Sequence, residues 1–274
     1  MSAVLDAPAS GTSHRSRIEL AARGVTKRFH LRDRDVTALA KIDLEVEHGE
    51  FVSILGASGC GKSTLLRLFA GLERPDSGDL LHGGEPIEGP SLERGIVFQE
   101  HRLFPWLTVA QNIAAALLNA PGSAEAKRST VAALVKLVGL ADFAEAYPHQ
   151  LSGGMAQRAA IARGLANKPD VLLLDEPFGA LDALTRARLQ QELRRIWQRQ
   201  GMTALLVTHD VDEALLLGQR VVVMTPRPGR IARIFTLPDD LSRDHADPTF
   251  AQLRAAVLAT LDTGEPADGP ENPR

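Results

Sequence analysis

The sequence predicts an α/β fold with a mainly parallel central sheet, on three observations. Short apolar runs alternate with helix-patterned segments. One run, residues 171–174, is apolar throughout, as a strand buried on both faces is. Another, residues 51–55, breaks at Gly56 into a glycine-rich turn with an amphipathic pattern beyond it.

The elements follow in order. Residues 51–55 form a β-rich strand, and residues 64–71 a helix with Leu65, Leu68 and Phe69 on one face. Residues 95–98 form a short strand. The stretch from about 105 to 165 breaks the rhythm. It is rich in Ala, Leu, Lys and Gln and poor in β-branched residues, which predicts a helical subdomain inserted between strands. After the strand at 171–174, Asp182 caps a helix over residues 183–200, and Gly201 stands just past its end. Leu189, Leu193, Ile196 and Trp197 form its apolar stripe. A strand at 204–207, a helix at 211–217 and a strand at 221–224 complete the alternation. Residues 1–17 and 262–274 read as a disordered lead and tail, because little in them can be buried.

Of the 274 residues, 44% are hydrophobic and 24% charged, as in a globular domain with a sizeable core. The formal net charge of −3 argues against a nucleic-acid partner. The single cysteine, Cys60, cannot form an internal disulfide. No apolar run approaches the ~20 residues that span a bilayer, so any membrane association is expected to come through a partner.

The chemistry concentrates at Gly56-Ala57-Ser58-Gly59-Cys60-Gly61-Lys62-Ser63, which matches G-x-x-x-x-G-K-[ST] at every fixed position. Glycines let successive backbone N–H groups turn toward phosphate oxygens, and the helix opening at Thr64 presents its positive end to the same anion. Lys62 is expected to reach the β- and γ-phosphates and the Ser63 hydroxyl to ligate Mg²⁺. Cys60 reads as a small filler whose backbone matters. This predicts a P-loop NTPase, although the loop alone would fit a kinase or a GTPase equally well. The strand at 171–174 delivers Asp175 and Glu176 at its carboxyl end, where ligands sit in parallel sheets. Asp175 is expected to hold Mg²⁺ and Glu176 to polarise the attacking water. His209 ends the strand at 204–207, in the place of a γ-phosphate sensor, and Gln99 closes the strand at 95–98, where its amide could touch both metal and water.

Together these motifs resemble one family. Leu151-Ser152-Gly153-Gly154-Met155 looks like the signature of ATP-binding cassette transporters. The phosphate loop, Gln99, this signature, Asp175-Glu176, Ala180-Leu181-Asp182 and His209 occur in that family's order and spacing, over about residues 18–235. The resemblance implies a nucleotide-binding domain over residues 18–245 with an N-terminal antiparallel β portion, followed by an extension over 246–274. It also implies ATP and Mg²⁺ as ligands and a head-to-tail homodimer. In such a dimer Ser152, Gly153 and Gly154 contact the γ-phosphate held by the second copy, a Ser-Gly-Gly turn before a helix being an anion site. Asp182 sits at the same interface. Phe29 matches the aromatic that stacks on adenine, with Val36 lining the same pocket. The signature departs from the commoner pattern at Met155 and Ala156, but neither supplies the γ-phosphate contacts.

The segment after Gln99 faces the membrane subunits in this family. Phe104, Pro105, Trp106 and Leu107 are unusually apolar for a loop and read as a docking groove for a partner helix. With residues 177–186 and 226–231, this segment resembles the nitrate, sulfonate and taurine importer branch, most closely its aliphatic sulfonate subunits. The implied partners are two transmembrane permease subunits and, indirectly, a periplasmic substrate-binding protein. The implied location is the cytoplasmic face of the inner membrane. The competing reading, a cassette ATPase of DNA repair or ribosomes, would bring two cassettes or a long coiled-coil insertion, and the sequence contains neither.

Overall fold

The computed structural model describes residues 18–31, 34–244 and 246–263. Two long strands, β1 (Ile18–Leu31) and β2 (Arg34–Glu47), form an antiparallel hairpin. They precede β3 (Phe51–Gly56), the phosphate loop and α1 (Lys62–Phe69). The chain returns through β4 (Ser77–His82) and the short β5 (Glu85–Pro86) to β6 (Arg94–Val97). The helical subdomain follows as α2 (Val109–Ala116), α3 (Ala124–Leu137) and α4 (Gly153–Leu165). The remainder is β7 (Val171–Asp175), α5 (Ala183–Gln200), β8 (Thr203–Thr208), α6 (Val211–Leu217), β9 (Arg220–Met224), β10 (Ile231–Thr236) and α7 (Pro248–Thr263).

Two sheets result. One is antiparallel, in the order β2-β1-β4-β5. The other has the order β10-β9-β3-β8-β7-β6 and is parallel except at the β10 edge. The expected mainly parallel sheet, N-terminal antiparallel portion and inserted helices are all present. Non-sequential order in the parallel sheet places β3 between β8 and β9, so the phosphate loop leaves the sheet at its centre.

Alternation along the central strands divides the core. Leu172 and Leu174 of β7, with Ala204 and Leu206 of β8, face the helical subdomain and α5. Val171, Leu173, Leu205 and Val207 face α1 and the antiparallel sheet on the other side. Every one of these side chains is fully buried, which fits the uninterrupted apolar runs. Burial of each leucine contributes about 1.5–3 kcal/mol relative to exposure.

Capping sets the ends of α5 where the sequence predicts them. Asp182 accepts from Thr185 N at 3.0 Å, and Gly201 closes the helix at φ 64°. Trp197 anchors its last turn, donating from Nε1 to Gly49 O at 3.0 Å and meeting Phe51 edge-to-face at 5.6 Å. Other elements depart from expectation. α1 starts at Lys62 and ends at Phe69, two residues ahead of the predicted span at each end. β10 and α7 are additional, and α7 buries Phe250 and Val257 against α6 and β9 in a third core cluster. Residues 262 and 263, which the sequence assigns to the tail, are helical. The expected lead at 1–17 and the remaining tail at 264–274 lie outside the described residues.

Candidate functional site

A cavity of about 560 Å³ opens at the carboxyl ends of β3, β7 and β8. Its floor is the phosphate loop, through Ser58, Gly59, Gly61, Lys62, Ser63 and Thr64. Gly61 must be glycine, with φ 102° and a Cβ position that would lie 2.6 Å from Leu39 Cδ2. No side chain caps α1, so its positive N-terminal end is left to the cavity.

Lys62 is 4% exposed, and its ammonium donates to Gly56 O at 2.7 Å and Ala57 O at 3.1 Å. Among the described residues no carboxylate lies within ion-pair distance of it. A buried cation beside a curled Gly-rich backbone and an uncapped helix end is a cradle with positive potential and no anion of its own, which fits a polyphosphate. Cys60 points the other way, into the core under the antiparallel sheet, and burial pushes its thiol up, so its contribution is backbone and packing.

The two carboxylates divide at the end of β7. Asp175 is buried, and its Oδ1 accepts from the Ser63 hydroxyl at 2.7 Å. Burial pushes its carboxyl above the ordinary value; the Ser63 hydrogen bond and the Arg67 and Lys62 charges pull it back. A hydroxyl touching a carboxylate beside the cradle is a hard-oxygen donor pair suited to Mg²⁺, a metal that keeps water and substrate phosphates among its ligands. No cluster of His, Cys, Asp or Glu among the described residues could hold a metal by protein ligands alone. Glu176 takes φ 44°, which is unusual for a non-glycine residue, while its N–H stays bonded to Val207 O at 2.9 Å. That backbone turn sends its side chain toward Gln99 and His209. Gln99 Nε2 donates to Glu176 Oε2 at 3.4 Å, and His209 Nδ1 lies 3.0 Å from the same oxygen.

Phe29, Val36 and Ala38 form the apolar wall at the other side of the cavity. The structure thus brings Phe29, the phosphate loop, Gln99, Asp175, Glu176 and His209 together. Ser152, Gly153, Gly154 and Asp182 do not line that cavity. They form a second surface: Ser152 caps α4 by accepting from Met155 N at 3.3 Å, and a Cβ on Gly154 would be 3.0 Å from Leu181 Cδ2, next to Asp182. Two residues on the cavity wall, Ala38 and Arg227, were not expected there. The segment Pro226-Arg227-Pro228-Gly229-Arg230 marks Arg227 as part of a turn but carries no sign of its place on the cavity.

The cavity and its carboxylates define a P-loop nucleotide hydrolase built on a parallel sheet. A family model described as ABC transporter matches residues 39–179, and the chain belongs to that family as an ATP-binding cassette ATPase. It is 47% identical over 248 residues to an uncharacterized ABC transporter ATP-binding protein of Methanocaldococcus jannaschii, covering 90% of this chain and 92% of that one. It is 47% identical over 230 residues to an aliphatic sulfonates import ATP-binding protein of Bacillus licheniformis, covering 84% of this chain and 89% of the other. Among solved structures, a dimeric post-hydrolysis state of an ATP-binding cassette bound to ADP and Pi superposes with a TM-score of 0.74 at 33% identity, over 80% of this chain and 99% of that one.

Proposed function

We propose that this chain is the ATP-hydrolysing subunit of an importer complex that takes up aliphatic sulfonates across the inner membrane. The observation that carries the ATPase reading is the meeting of Gln99 and His209 on one Glu176 oxygen, beside a cradle formed by Lys62 and Ser63. Glu176 is the general base that orients water, His209 positions it and senses the terminal phosphate, and Gln99 links the two to the metal side. Ser63, Asp175 and Gln99 hold Mg²⁺, which supplies charge neutralisation on the phosphates when bound. Phe29 stacks on adenine.

The nucleotide-binding domain runs over residues 18–245, and its site is completed by a second copy. The surface made by Ser152, Gly153, Gly154 and Asp182 stands apart from the cavity in one chain, which supports a head-to-tail pair in which it covers the partner's ATP. The dimeric, ADP- and Pi-bound neighbour supports the pairing of two copies. No helix among the described residues is long and apolar enough to cross a membrane. Attachment to the cytoplasmic face runs through two permease subunits, docked on the exposed Phe104 and Trp106, with a substrate-binding protein delivering cargo to them.

The name of the Bacillus licheniformis relative supports sulfonate as the cargo. A strain lacking the gene, grown with alkanesulfonate, taurine or nitrate as the sole source of the element, tests this. Lost growth on alkanesulfonate alone is expected. Normal growth there, with a defect on taurine or nitrate, would reassign the cargo.

A further inference from the structure

The loop between β9 and β10 has no part in the hydrolytic site described above, yet it borders the nucleotide cavity. It is fastened to β2 on both sides of Gly229, whose N–H donates to Ala38 O at 3.0 Å and whose carbonyl accepts from Ala40 N at 2.9 Å. Its outer rung is closed by Thr225 N donating to Arg230 O at 2.9 Å. It also presses on the phosphate loop so closely that a Cβ on Gly229 would overlap the Cys60 carbonyl oxygen. From this fixed base the Arg227 side chain reaches over the phosphate loop. Its Nε donates to Gly59 O at 3.2 Å, and its Nη2 lies 3.0 Å from where a Gly59 Cβ would stand.

Arg227 therefore sits where two walls of the cavity meet. On one side are Phe29, Val36 and Ala38, and on the other the glycines of the phosphate loop. A guanidinium carries five N–H donors in a planar fork. The bond to Gly59 O uses one, and among the described residues no carboxylate pairs with the group. The residue itself lines the cavity, which leaves the other donors free for a ligand there. A fork of this shape suits two phosphate oxygens, and its charge adds to that of Lys62 without competing for the Glu176 end.

We infer that Arg227 is a nucleotide-binding residue whose guanidinium holds the phosphate nearest the sugar; the inference rests on the ATP reading of the cavity. Its position at the junction of the apolar wall and the phosphate loop selects that phosphate. The terminal phosphate faces Gln99, Glu176 and His209 instead. Because the same side chain bonds Gly59 O, bound nucleotide, phosphate loop and the β9–β10 loop become one connected unit.

Calorimetric titration of ATP and of ADP, each with Mg²⁺, into wild type, Arg227→Ala, Arg227→Lys and Lys62→Ala tests this, alongside the thermal midpoint of each nucleotide-free protein. Arg227→Ala is expected to weaken ATP and ADP by the same factor, about tenfold, with an unchanged nucleotide-free midpoint. Arg227→Lys is expected to recover part of the loss, keeping charge without the fork. Affinities for both nucleotides within about twofold of wild type would overturn the inference. So would a loss confined to ATP, which places the contact on the terminal phosphate, or a fall in affinity and midpoint that lysine restores together, which makes Arg227 a prop for Gly59. Wild type binding neither nucleotide would overturn the cavity reading and the inference with it. Binding that is lost in Lys62→Ala but intact in Arg227→Ala would overturn the inference alone.

Discussion

His209 Nδ1 and Glu176 Oε2 are 3.0 Å apart, joining the turn after β8 to the residue that follows β7. The Gln99 amide bonds the same oxygen at 3.4 Å, so the ends of three neighbouring strands converge on one carboxylate. If that carboxylate is the base, Glu176→Gln keeps the shape and removes the function. Its ATP turnover should fall by about 10²–10⁴-fold, measured as steady-state phosphate release, while ATP affinity is retained. A variant turning over at the wild-type rate would make Glu176 a bystander.

Asp175 gives a pH signature. Its carboxyl is raised by burial, so the native state favours the protonated form. The stability this group contributes is present in full below the unfolded carboxylate range and is lost as pH rises through the raised value. Asp175→Asn removes that loss. Metal-free Asp175→Asn should therefore melt above wild type at neutral pH, with the gap closing below about pH 4. It should also lose the Mg²⁺-dependent tightening of ATP. A melting difference independent of pH would contradict the burial argument.

The docking role rests on Trp106, which is 69% exposed and lies 5.6 Å from the Phe104 ring. Asn112 holds the loop beneath them, accepting from Phe104 N at 2.8 Å and donating to Leu107 O at 3.0 Å. Trp106→Glu should abolish co-purification with the permease subunits and leave nucleotide affinity unchanged. Undiminished co-purification would rule out this surface as the attachment point.

Leu173 tests the core beneath the site. It is fully buried between β7 and α1, facing the antiparallel sheet side. Leu173→Ala should lower the unfolding free energy by about 2–5 kcal/mol in chemical denaturation. A smaller loss would mean that the layer collapses to fill the gap.

Much of this was legible because local signals agreed. Residues 171–174 are apolar without a break since both faces of β7 are covered, and α5 carries both Asp182 and Gly201 as stops. The start of α1 was obscured because Lys62 and Ser63 serve the phosphate loop and the first helical turn at once, with Gly61 offering no side-chain cap. β10 is an edge strand with several exposed positions, so its alternation is faint. α7 buries few side chains and owes its order to docking on α6 and β9. Arg227 was out of reach for another reason. It stands 168 positions along the chain from Gly59, a separation closed only by the tertiary fold, and no local pattern records that contact.

In the proposed pair of copies, a single chain supplies half of each hydrolytic site. Sedimentation equilibrium of Glu176→Gln, with Mg²⁺ and either ATP or ADP, measures this. Twice the 29.5 kDa chain mass is expected with ATP and the single-chain mass with ADP. A single-chain mass with saturating ATP would contradict it, leaving Ser152, Gly154 and Asp182 without the nucleotide they are assigned to cover.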